Sequence, residues 1–241
     1  FCMENYKLFS PTDYRYKVDQ LIDYLTEESF LNYKIKVEIA LLQTLSDFNL
    51  CPEDVVKEVE KAAKNIRVEE IYEEEKRIKH DIRAIVNVLK KNVSEKAKPF
   101  IHFCATSYDI VEPARCLMQK EATEKVIIPD MIELEDIFIK QARKEKDTIQ
   151  IGRTHGQHAE PITFGFFLSV YVERWWERIL KVNNAKENLK GKFSGPVGCY
   201  NGLSLFIKDV EKFESTFLEK LSLKPSRIST QIVPPEPMVD F

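Results

Sequence analysis

The sequence predicts an all-α protein. Apolar residues recur at helical spacing through most of the 241 residues, and only seven residues are glycine, less than half of the typical ~7%. Few glycines leave few tight turns, which disfavours a fold of many short strands. With 44% hydrophobic and 31% charged residues, the chain can bury a substantial core, so wholesale disorder is excluded. The length fits one large domain or two small ones.

The first part of the chain predicts three helices. The first has apolar residues three or four apart: Leu31, Ile35, Ile39, Leu42 and Leu45. Asn49 and Pro52 end it, and a second helix begins at residues 52–54, where proline and acidic side chains suit a first turn. A third helix is predicted from one apolar face: Ile71, Ile78, Ile82, Ile85 and Leu89. Residues 100–105 form an apolar patch that predicts extended backbone.

Two long helices follow, separated by a polar loop at residues 150–163. The first has apolar residues near one face: Ala122, Val126, Met131, Leu134, Phe138 and Ala142. The second has a similar face: Phe164, Phe167, Tyr171, Trp175, Ile179 and Val182. Pro129 predicts a kink. Helices of about 25 to 35 residues, ~40–50 Å long, need partners from other subunits or from a longer chain to cover such faces.

Charge and cysteine content exclude several classes of protein. The chain has 36 basic and 39 acidic residues, a net charge of −3, which gives no electrostatic case for a nucleic-acid or membrane partner. We find no apolar stretch of membrane-spanning length and no signal peptide. Five cysteines without a C-x-x-C pair argue against a disulfide framework and a zinc knuckle. We therefore expect a soluble, reduced, cytoplasmic protein.

Residues 152–161 form the densest polar cluster and contain two of the four histidines, His155 and His158. With Glu160 nearby they could bind a metal ion, but zinc needs three or four ligands, and no further ligand is indicated locally. A helix-capping loop with a structural histidine also fits. So does a histidine placed for proton transfer at neutral pH, where imidazole changes charge.

Two shorter segments also contain candidate residues. His80, within residues 79–81, lies away from the apolar face of its helix, as a surface histidine or a functional one would. Residues 106–109, T-S-Y-D, precede a helical run, and Asp109 with Glu112 resembles a capping box. Backbone N–H groups at such a helix start can also bind an anion. The glycines of residues 191–198 indicate a tight turn.

Taken together, these segments resemble the adenylosuccinate lyases of the fumarase/aspartase superfamily. The central match is GRTHGQHAEPITFG at residues 152–165. The other matches follow the family's order: S-P-T-D-Y-R-Y at 10–16, K-H-D at 79–81, T-S-Y-D at 106–109, F-S-G-P-V-G at 193–198 and S-T-Q at 229–231. The spelling G-Q-H-A-E-P is closer to this family than to the fumarases or the argininosuccinate lyases.

The resemblance implies an architecture. It comprises an N-terminal helical domain over residues 1–105 and the first part of a central long-helix bundle over residues 106–241. The bundle would stop before its end, and the small C-terminal domain would be absent. The family forms homotetramers in which helices from all subunits share one bundle and each active site is built from three chains.

The resemblance also implies a reaction: β-elimination of fumarate from adenylosuccinate, leaving AMP, and from the succinylated carboxamide intermediate (SAICAR) of purine biosynthesis. It implies no metal and no organic cofactor. His155 would be the general acid, since imidazole titrates near working pH, and His80 would orient the leaving group. The implied substrate-binding residues are Arg15 and Tyr16 for the phosphate, Thr106 and Ser107 for a carboxylate, Lys79 and Asp81 beside His80, Thr154 beside His155, and Gln231.

The sequence also departs from the family pattern. The family's base is a serine on a mobile loop, G-S-S-x-M-P-x-K-x-N-P, well after the S-T-Q element, and nothing after Gln231 resembles it. We therefore expect these 241 residues alone to be inactive. Smaller departures are Pro113 near a helix start and the prolines of residues 234–237. Two alternatives remain: another fumarate-releasing lyase of the superfamily, and a non-catalytic helical assembly derived from a lyase.

Overall fold

The computed structural model describes residues 15–241, which are mainly α-helical, as the sequence predicts. The helices are α1 (Ile22–Leu25), α2 (Glu27–Asp47), α3 (Glu53–Ala63), α4 (Val68–Ile78), α5 (Asp81–Lys91), α6 (Ser107–Ala122), α7 (Ile128–Lys144), α8 (Phe164–Glu187), α9 (Val210–Glu219) and α10 (Glu236–Val239). The strands are β1 (Ile149–Thr154), β2 (Gln157–Thr163), β3 (Lys190–Gly191) and β4 (Lys224–Pro225). Strands β1 and β2 pair antiparallel, whereas β3 and β4 pair in parallel.

The chain divides into two compact units. Among the described residues, the first contains 15–121 together with 189–240, and the second contains 122–188. In the first unit α2 packs against α3, α5 and α9, and α4 packs against α5. The core of this unit consists of fully buried side chains such as Leu41, Leu45, Leu89, Phe213 and Phe217. The domain boundary at residue 105 stays a prediction.

The predicted first and second helices are confirmed as α2 and α3, but the single third helix is wrong. The chain forms α4 and α5, separated by Lys79 and His80. Lys79 adopts left-handed backbone (φ 60°), which cannot continue a right-handed helix. The apolar face persists across the break because both helices bury it against the same core, so periodicity alone did not indicate the interruption.

Residues 100–105 form turns and not the extended segment that the sequence predicted. A 3₁₀ turn covers Lys98–Phe100, and both His102 and Cys104 have positive φ. The fully buried carboxylate of Glu38 on α2 explains this path. It accepts hydrogen bonds from the His102 backbone N–H at 3.1 Å and lies 2.6 Å from His102 Nδ1.

The second unit consists of α7 and α8, which pack along one another and are joined by the β1–β2 hairpin. Trp175 on α8 donates from its indole Nε1–H to the Met131 carbonyl on α7 at 2.8 Å. The helical irregularity predicted from Pro129 takes the form of a π-turn at Thr123–Ile127, just before α7. Proline displaces the carbonyl four residues earlier, and a π-turn accommodates that displacement.

The polar segment between the long helices is a β-hairpin, so the prediction of a loop is wrong. Thr154 pairs with Gln157, which leaves His155 and Gly156 as a two-residue connection, with φ of 53° and 71°. Two positive φ values in such a connection are the signature of a type I′ turn, whose twist suits paired strands. Glycine at position 156 meets this requirement without strain.

The second unit exposes much of its apolar surface. Within residues 122–188 the buried apolar side chains are Ala122, Val126, Ile179 and Ala185. Many larger ones are exposed: Ile132, Leu134, Ile137, Phe166, Phe167, Val170, Tyr171, Trp176 and Leu180. Across residues 15–241, none of the helices combines the length and the apolar character that crossing a membrane requires.

Candidate active site

The junction between α4 and α5 presents the sequence Lys79-His80-Asp81. The N–H of Lys79 closes α4 by donating to the Glu75 carbonyl at 2.7 Å. His80 then caps α5, because its Nδ1 accepts a hydrogen bond from the Arg83 backbone N–H at 3.2 Å. A neutral imidazole whose Nδ1 accepts has its proton on Nε2. The cap therefore leaves Nε2 of this half-exposed side chain available to a partner outside α5.

His80 lies against the T-S-Y-D segment. Its Nε2 is 3.5 Å from Oγ of Ser107, the first residue of α6, at the outer limit of a hydrogen bond. Neither side chain is buried, so a small molecule can contact both. The structure thus brings together two residues that the sequence nominated separately.

Asp81 fastens the start of α5 to α2. Its carboxylate lies 3.2 Å from the ammonium of Lys34, whose side chain is only 4% exposed. Burial opposes ionisation of Asp81, but the Ile82 backbone N–H and the Lys34 ammonium outweigh it, and the pKa of Asp81 is lowered. Asp81 is therefore ionised at neutral pH and anchors the residue that caps α5. Lys79, on the other side of His80, is exposed.

Thr106 and Ser107 stand at the N-terminus of α6. Asp109, inside the first turn, accepts the Thr106 backbone N–H on Oδ2 at 2.9 Å. The predicted pairing of Asp109 as N-cap with Glu112 is therefore wrong: the helix begins earlier, and Asp109 is the acidic residue at the N3 position of such a motif. The remaining N–H groups of this first turn can bind an anion.

The same carboxylate also binds the glycine turn at residues 192–198. Asp109 accepts the backbone N–H groups of Ser194 at 3.1 Å and Gly195 at 3.2 Å, and it forms an ion pair with Lys192. Both charged side chains have no exposed area. Lys192 Nζ also donates to the Gly195 carbonyl at 3.0 Å. Asp109 therefore joins the start of α6 to a turn more than eighty residues later in the chain.

The glycine turn in turn holds the S-T-Q segment. Ser194 Oγ and Ser229 Oγ form a hydrogen bond of 2.8 Å. Gly198 has a φ of 78°, and a Cβ atom there would lie 2.0 Å from the Ser229 carbonyl oxygen, so only glycine allows this approach. The parallel pairing of β3 with β4 brings the two segments alongside. Gln231, two residues beyond Ser229, is exposed.

Thr154 and His155 belong to the second unit. Both lie at the tip of the β1–β2 hairpin and are exposed. His158 pairs with Arg153 on the neighbouring strand. The helix-capping interpretation of this cluster is wrong, because Thr163 caps α8 by accepting the Phe166 N–H at 3.1 Å.

Two further nominated residues begin the described part of the chain. Arg15 and Tyr16 are both exposed, and the Arg15 guanidinium lies 5.4 Å from the centre of the Tyr16 ring. The rest of the S-P-T-D-Y-R-Y segment, residues 10–14, lies outside the described residues. Residues 15–241 contain no group of three or more His, Cys, Asp or Glu side chains placed to hold a metal ion.

Sequence reasoning missed the buried charges that organise this region. The sequence predicts only a turn around Lys192. A lysine between Gly191 and Phe193, in a segment rich in glycine and apolar residues, also indicates a buried charge with a partner. Glu38 was missed as the partner of His102. It falls on the apolar face of α2, where an acidic residue indicates a buried partner.

Comparison with solved structures identifies the fold. The chain superposes on the crystal structure of a fumarate lyase from Mesorhizobium sp. BNC1 with a TM-score of 0.78. The match covers 88% of this chain and 49% of that one, at 23% sequence identity. The fold predicted from the fumarase/aspartase resemblance is therefore confirmed: this is the helical fold of a fumarate lyase.

Comparison with sequences identifies the family. The sequence model of the family described as Lyase matches residues 12–235, and the chain belongs to this family. It is 33% identical over 235 residues to an adenylosuccinate lyase of Methanocaldococcus jannaschii, covering 96% of this chain and 50% of the relative. It is 34% identical over 226 residues to one of Pyrococcus abyssi, covering 92% and 49%. The chain thus spans about half the length of the curated relatives it matches.

Proposed function

We propose that the protein is an adenylosuccinate lyase, a carbon–nitrogen lyase that releases fumarate from adenylosuccinate, leaving AMP, and from SAICAR. One observation carries the proposal. Segments that lie far apart in the sequence and each resemble this family are linked by direct contacts: His80 to Ser107, Asp109 to Ser194, and Ser194 to Ser229. The similarity to adenylosuccinate lyases over more than nine-tenths of the chain supports the same substrate.

The reaction is a β-elimination. A base removes the proton from the carbon beside a carboxylate, and the electron pair is held as an aci-carboxylate. This pair then forms the carbon–carbon double bond of fumarate as the C–N bond breaks, and an acid protonates the departing nitrogen. His155 is the proposed acid, because an imidazole can donate a proton near neutral pH. The proposed base is a serine on the loop that the family carries after its S-T-Q element.

Thr106 and Ser107 are the proposed binding site for a substrate carboxylate. They combine two hydroxyl groups with the backbone N–H groups at the start of α6, an arrangement suited to negative charge. His80 presents its Nε2–H beside Ser107 and can donate to the same end of the substrate, where we assign it the orientation of the leaving group. No metal or organic cofactor enters this scheme.

The other nominated residues complete the proposed substrate site. Arg15 can bind the nucleotide phosphate through its forked guanidinium, with Tyr16 beside it. Lys79 and Asp81 flank His80 and would contact substrate with opposite charges. Thr154 would assist His155, and Gln231 would donate or accept a hydrogen bond.

We also propose a cytoplasmic homotetramer with shared active sites, which binds neither nucleic acid nor membrane. The apolar side chains that α7 and α8 expose support this assembly, since helices of this kind become covered when bundles pool helices from several copies. His155 lies at the tip of a hairpin in the same unit. Its partners in catalysis would then come from the assembled site.

A substrate panel tests the proposal. The full-length protein is given adenylosuccinate, SAICAR, argininosuccinate, malate and aspartate in separate reactions, and fumarate release is measured by chromatography. We expect fumarate with equimolar AMP from adenylosuccinate, and fumarate from SAICAR. Fumarate from one of the other substrates alone would identify a different lyase. Release from none of them, in a protein that still assembles, would support the non-catalytic alternative.

A further inference from the structure

Asp109 and Lys192 form an ion pair with no solvent exposure in the first unit. Each partner also contacts backbone groups. The Asp109 carboxylate accepts N–H groups from both sides, Thr106 at the start of α6 and Ser194 with Gly195 in the glycine turn. Lys192 donates a second hydrogen bond, to the Gly195 carbonyl. The pair is therefore satisfied only when the two turns lie in one relative position.

Stability alone does not account for such a pair. Removing two charges from water is costly, and replacing a buried ion pair by apolar side chains of similar size is often neutral or stabilising. A buried pair that binds backbone groups on two sides can contribute specificity instead of stability, because its hydrogen bonds are satisfied in a single geometry. In this protein the pair joins the start of α6, which contains Thr106 and Ser107, to the glycine turn, which contacts the segment that contains Gln231.

The glycine turn transmits this geometry further along the chain. Glu214 on α9 accepts the Phe193 N–H at 2.6 Å and the Tyr200 hydroxyl at 2.6 Å, which gives the turn a second buried carboxylate as acceptor. The hydroxyl of Ser194 then binds that of Ser229. A continuous set of contacts runs from Thr106 through Asp109 and Ser194 to the S-T-Q segment.

We propose that Asp109, paired with Lys192, is a positioning residue. It sets the position of Thr106 and Ser107 at the start of α6 relative to the segment that contains Gln231, and Ser194 is the link to that segment. Asp109 is buried and does not touch substrate itself. The inference rests on the proposed function only in assigning substrate contacts to Thr106, Ser107 and Gln231.

The test uses the double variant Asp109→Asn/Lys192→Met in the full-length protein. It removes both charges together, so no unpaired charge is left buried. Asparagine keeps one acceptor oxygen and presents an NH₂ group at the other position, so it cannot accept the Thr106 N–H, which is bound by Oδ2, and the Ser194 N–H, which is bound by Oδ1, at the same time. The matched control is Glu124→Gln/Lys186→Met, which removes an ion pair of a buried lysine in the second unit.

The first measurement is hydrogen–deuterium exchange resolved to single amides, which needs no substrate. We expect at least one of the amides of Thr106, Ser194 and Gly195 to exchange at least about tenfold faster in the double variant, while those of Phe213 and Phe217 on α9 stay protected. The control variant should leave all five amides as in the wild type. Unchanged protection of Ser194, Gly195 and Thr106 in a folded double variant would overturn the proposal.

The second measurement separates positioning from general loss of structure. AMP lacks the succinyl carboxylates, so its affinity should stay within about twofold of wild type. The kcat/KM for adenylosuccinate should fall about 10- to 100-fold, as expected when one hydrogen bond to a charged group is lost. Equal losses for both ligands would contradict positioning. If the wild type does not cleave adenylosuccinate, the proposed function is refuted. The exchange experiment would still test whether Asp109 positions the two turns, because it needs no substrate.

Ser194→Ala covers the case in which the double variant does not fold. It removes one hydroxyl from the link to Ser229 and keeps the ion pair. We expect faster exchange at the Thr230 amide, which donates to the Ile232 carbonyl, and a kcat/KM for adenylosuccinate about 3- to 10-fold lower. If residues 229–232 exchange as in the wild type, the proposed link to Gln231 is wrong.

Discussion

The two compact units differ in which side chains they bury and which they expose. The first unit buries charged groups together with their partners, as in Asp109 with Lys192 and Glu38 with His102. The second unit exposes large apolar side chains along α7 and α8, and its nominated catalytic residue, His155, stands at an exposed hairpin tip. Polar geometry in the first unit is fixed by contacts within the chain. In the second unit the hairpin pairing holds the backbone around His155, but the His155 side chain itself is exposed to solvent.

Because of this difference, substitutions in the two units should affect folding stability and catalysis to different extents. A change inside the first unit disturbs a packed core or a satisfied ion pair, so it acts on folding as well as on the site. A change at the hairpin tip removes a functional group that stabilises little. The following predictions are arranged to test that expectation.

The largest expected effect is that of His155→Asn on catalysis. Asparagine tolerates the positive φ of this position, so the hairpin should be retained. Loss of the proposed general acid should lower kcat for adenylosuccinate by about 10²- to 10⁴-fold. Because the side chain is exposed, the unfolding free energy should change by less than about 0.5 kcal/mol. Steady-state kinetics and urea denaturation of the full-length protein measure both quantities.

His158→Asn is the matched control, since it makes the same change in the same hairpin. We expect it to retain kcat within about threefold, well short of the loss expected for a general acid. An equal loss of activity in both variants would mean that the hairpin acts through its structure and not through the imidazole of His155.

Two isoleucines provide the next comparison. Ile85 on α5 is 1% exposed and Ile137 on α7 is 53% exposed. Ile85→Ala should lower the unfolding free energy by about 2–5 kcal/mol at any protein concentration, because it leaves a cavity in a packed core. Ile137→Ala should weaken the proposed assembly instead, so its effect should grow as the protein is diluted. Denaturation and sedimentation over a range of concentrations measure the two effects.

The comparison fails if Ile137→Ala leaves the sedimentation coefficient unchanged at every concentration. The exposed apolar surface of the second unit would then not be an interface between copies. Exposed isoleucine would in that case behave as an ordinary surface residue, with a change below about 0.5 kcal/mol.

The smallest expected effects concern two buried glutamates with opposite pH dependence. Hydrogen bonds from Arg77, Lys91 and Asn87 lower the pKa of Glu74 in the first unit to about 2. Its contribution to stability is therefore present above the ordinary value of about 4.5 and is lost as the pH falls towards 2. Glu74→Gln should flatten this acid limb in melting curves recorded from pH 2 to pH 8.

Glu135 on α7 shows the reverse dependence. Its Oε2 is buried without a hydrogen-bond partner among the described residues, and burial, then the charge of Glu173, raises its pKa. A raised pKa in the folded state gives stability that is present at low pH and lost as the pH rises through that pKa. Glu135→Gln should therefore raise the melting temperature at pH 7 by about 2–4 °C, the effect of about 1 kcal/mol. A lower melting temperature would show that the carboxylate is paired in the assembly.

The sequence by itself determined most of the helices. The spacing of apolar residues predicts α2 and α8, because a helix gathers apolar residues on one face and the helical period appears in the order of residues. The proline and acidic residues at 52–54 predict the start of α3. It also nominated His80, Ser107 and the glycine turn. Their meeting in one region did not follow from spacing, since contacts between distant segments leave no local period.

Only the tertiary structure decided the rest. The break at Lys79, the β-hairpin around His155 and the turns at His102 each depend on backbone with positive φ, which residues other than glycine do not announce. The ion pair of Asp109 with Lys192 depends on partners more than eighty residues apart. Apolar periodicity reports which face of a helix is buried, whereas a buried charge depends on which partner the fold brings to it.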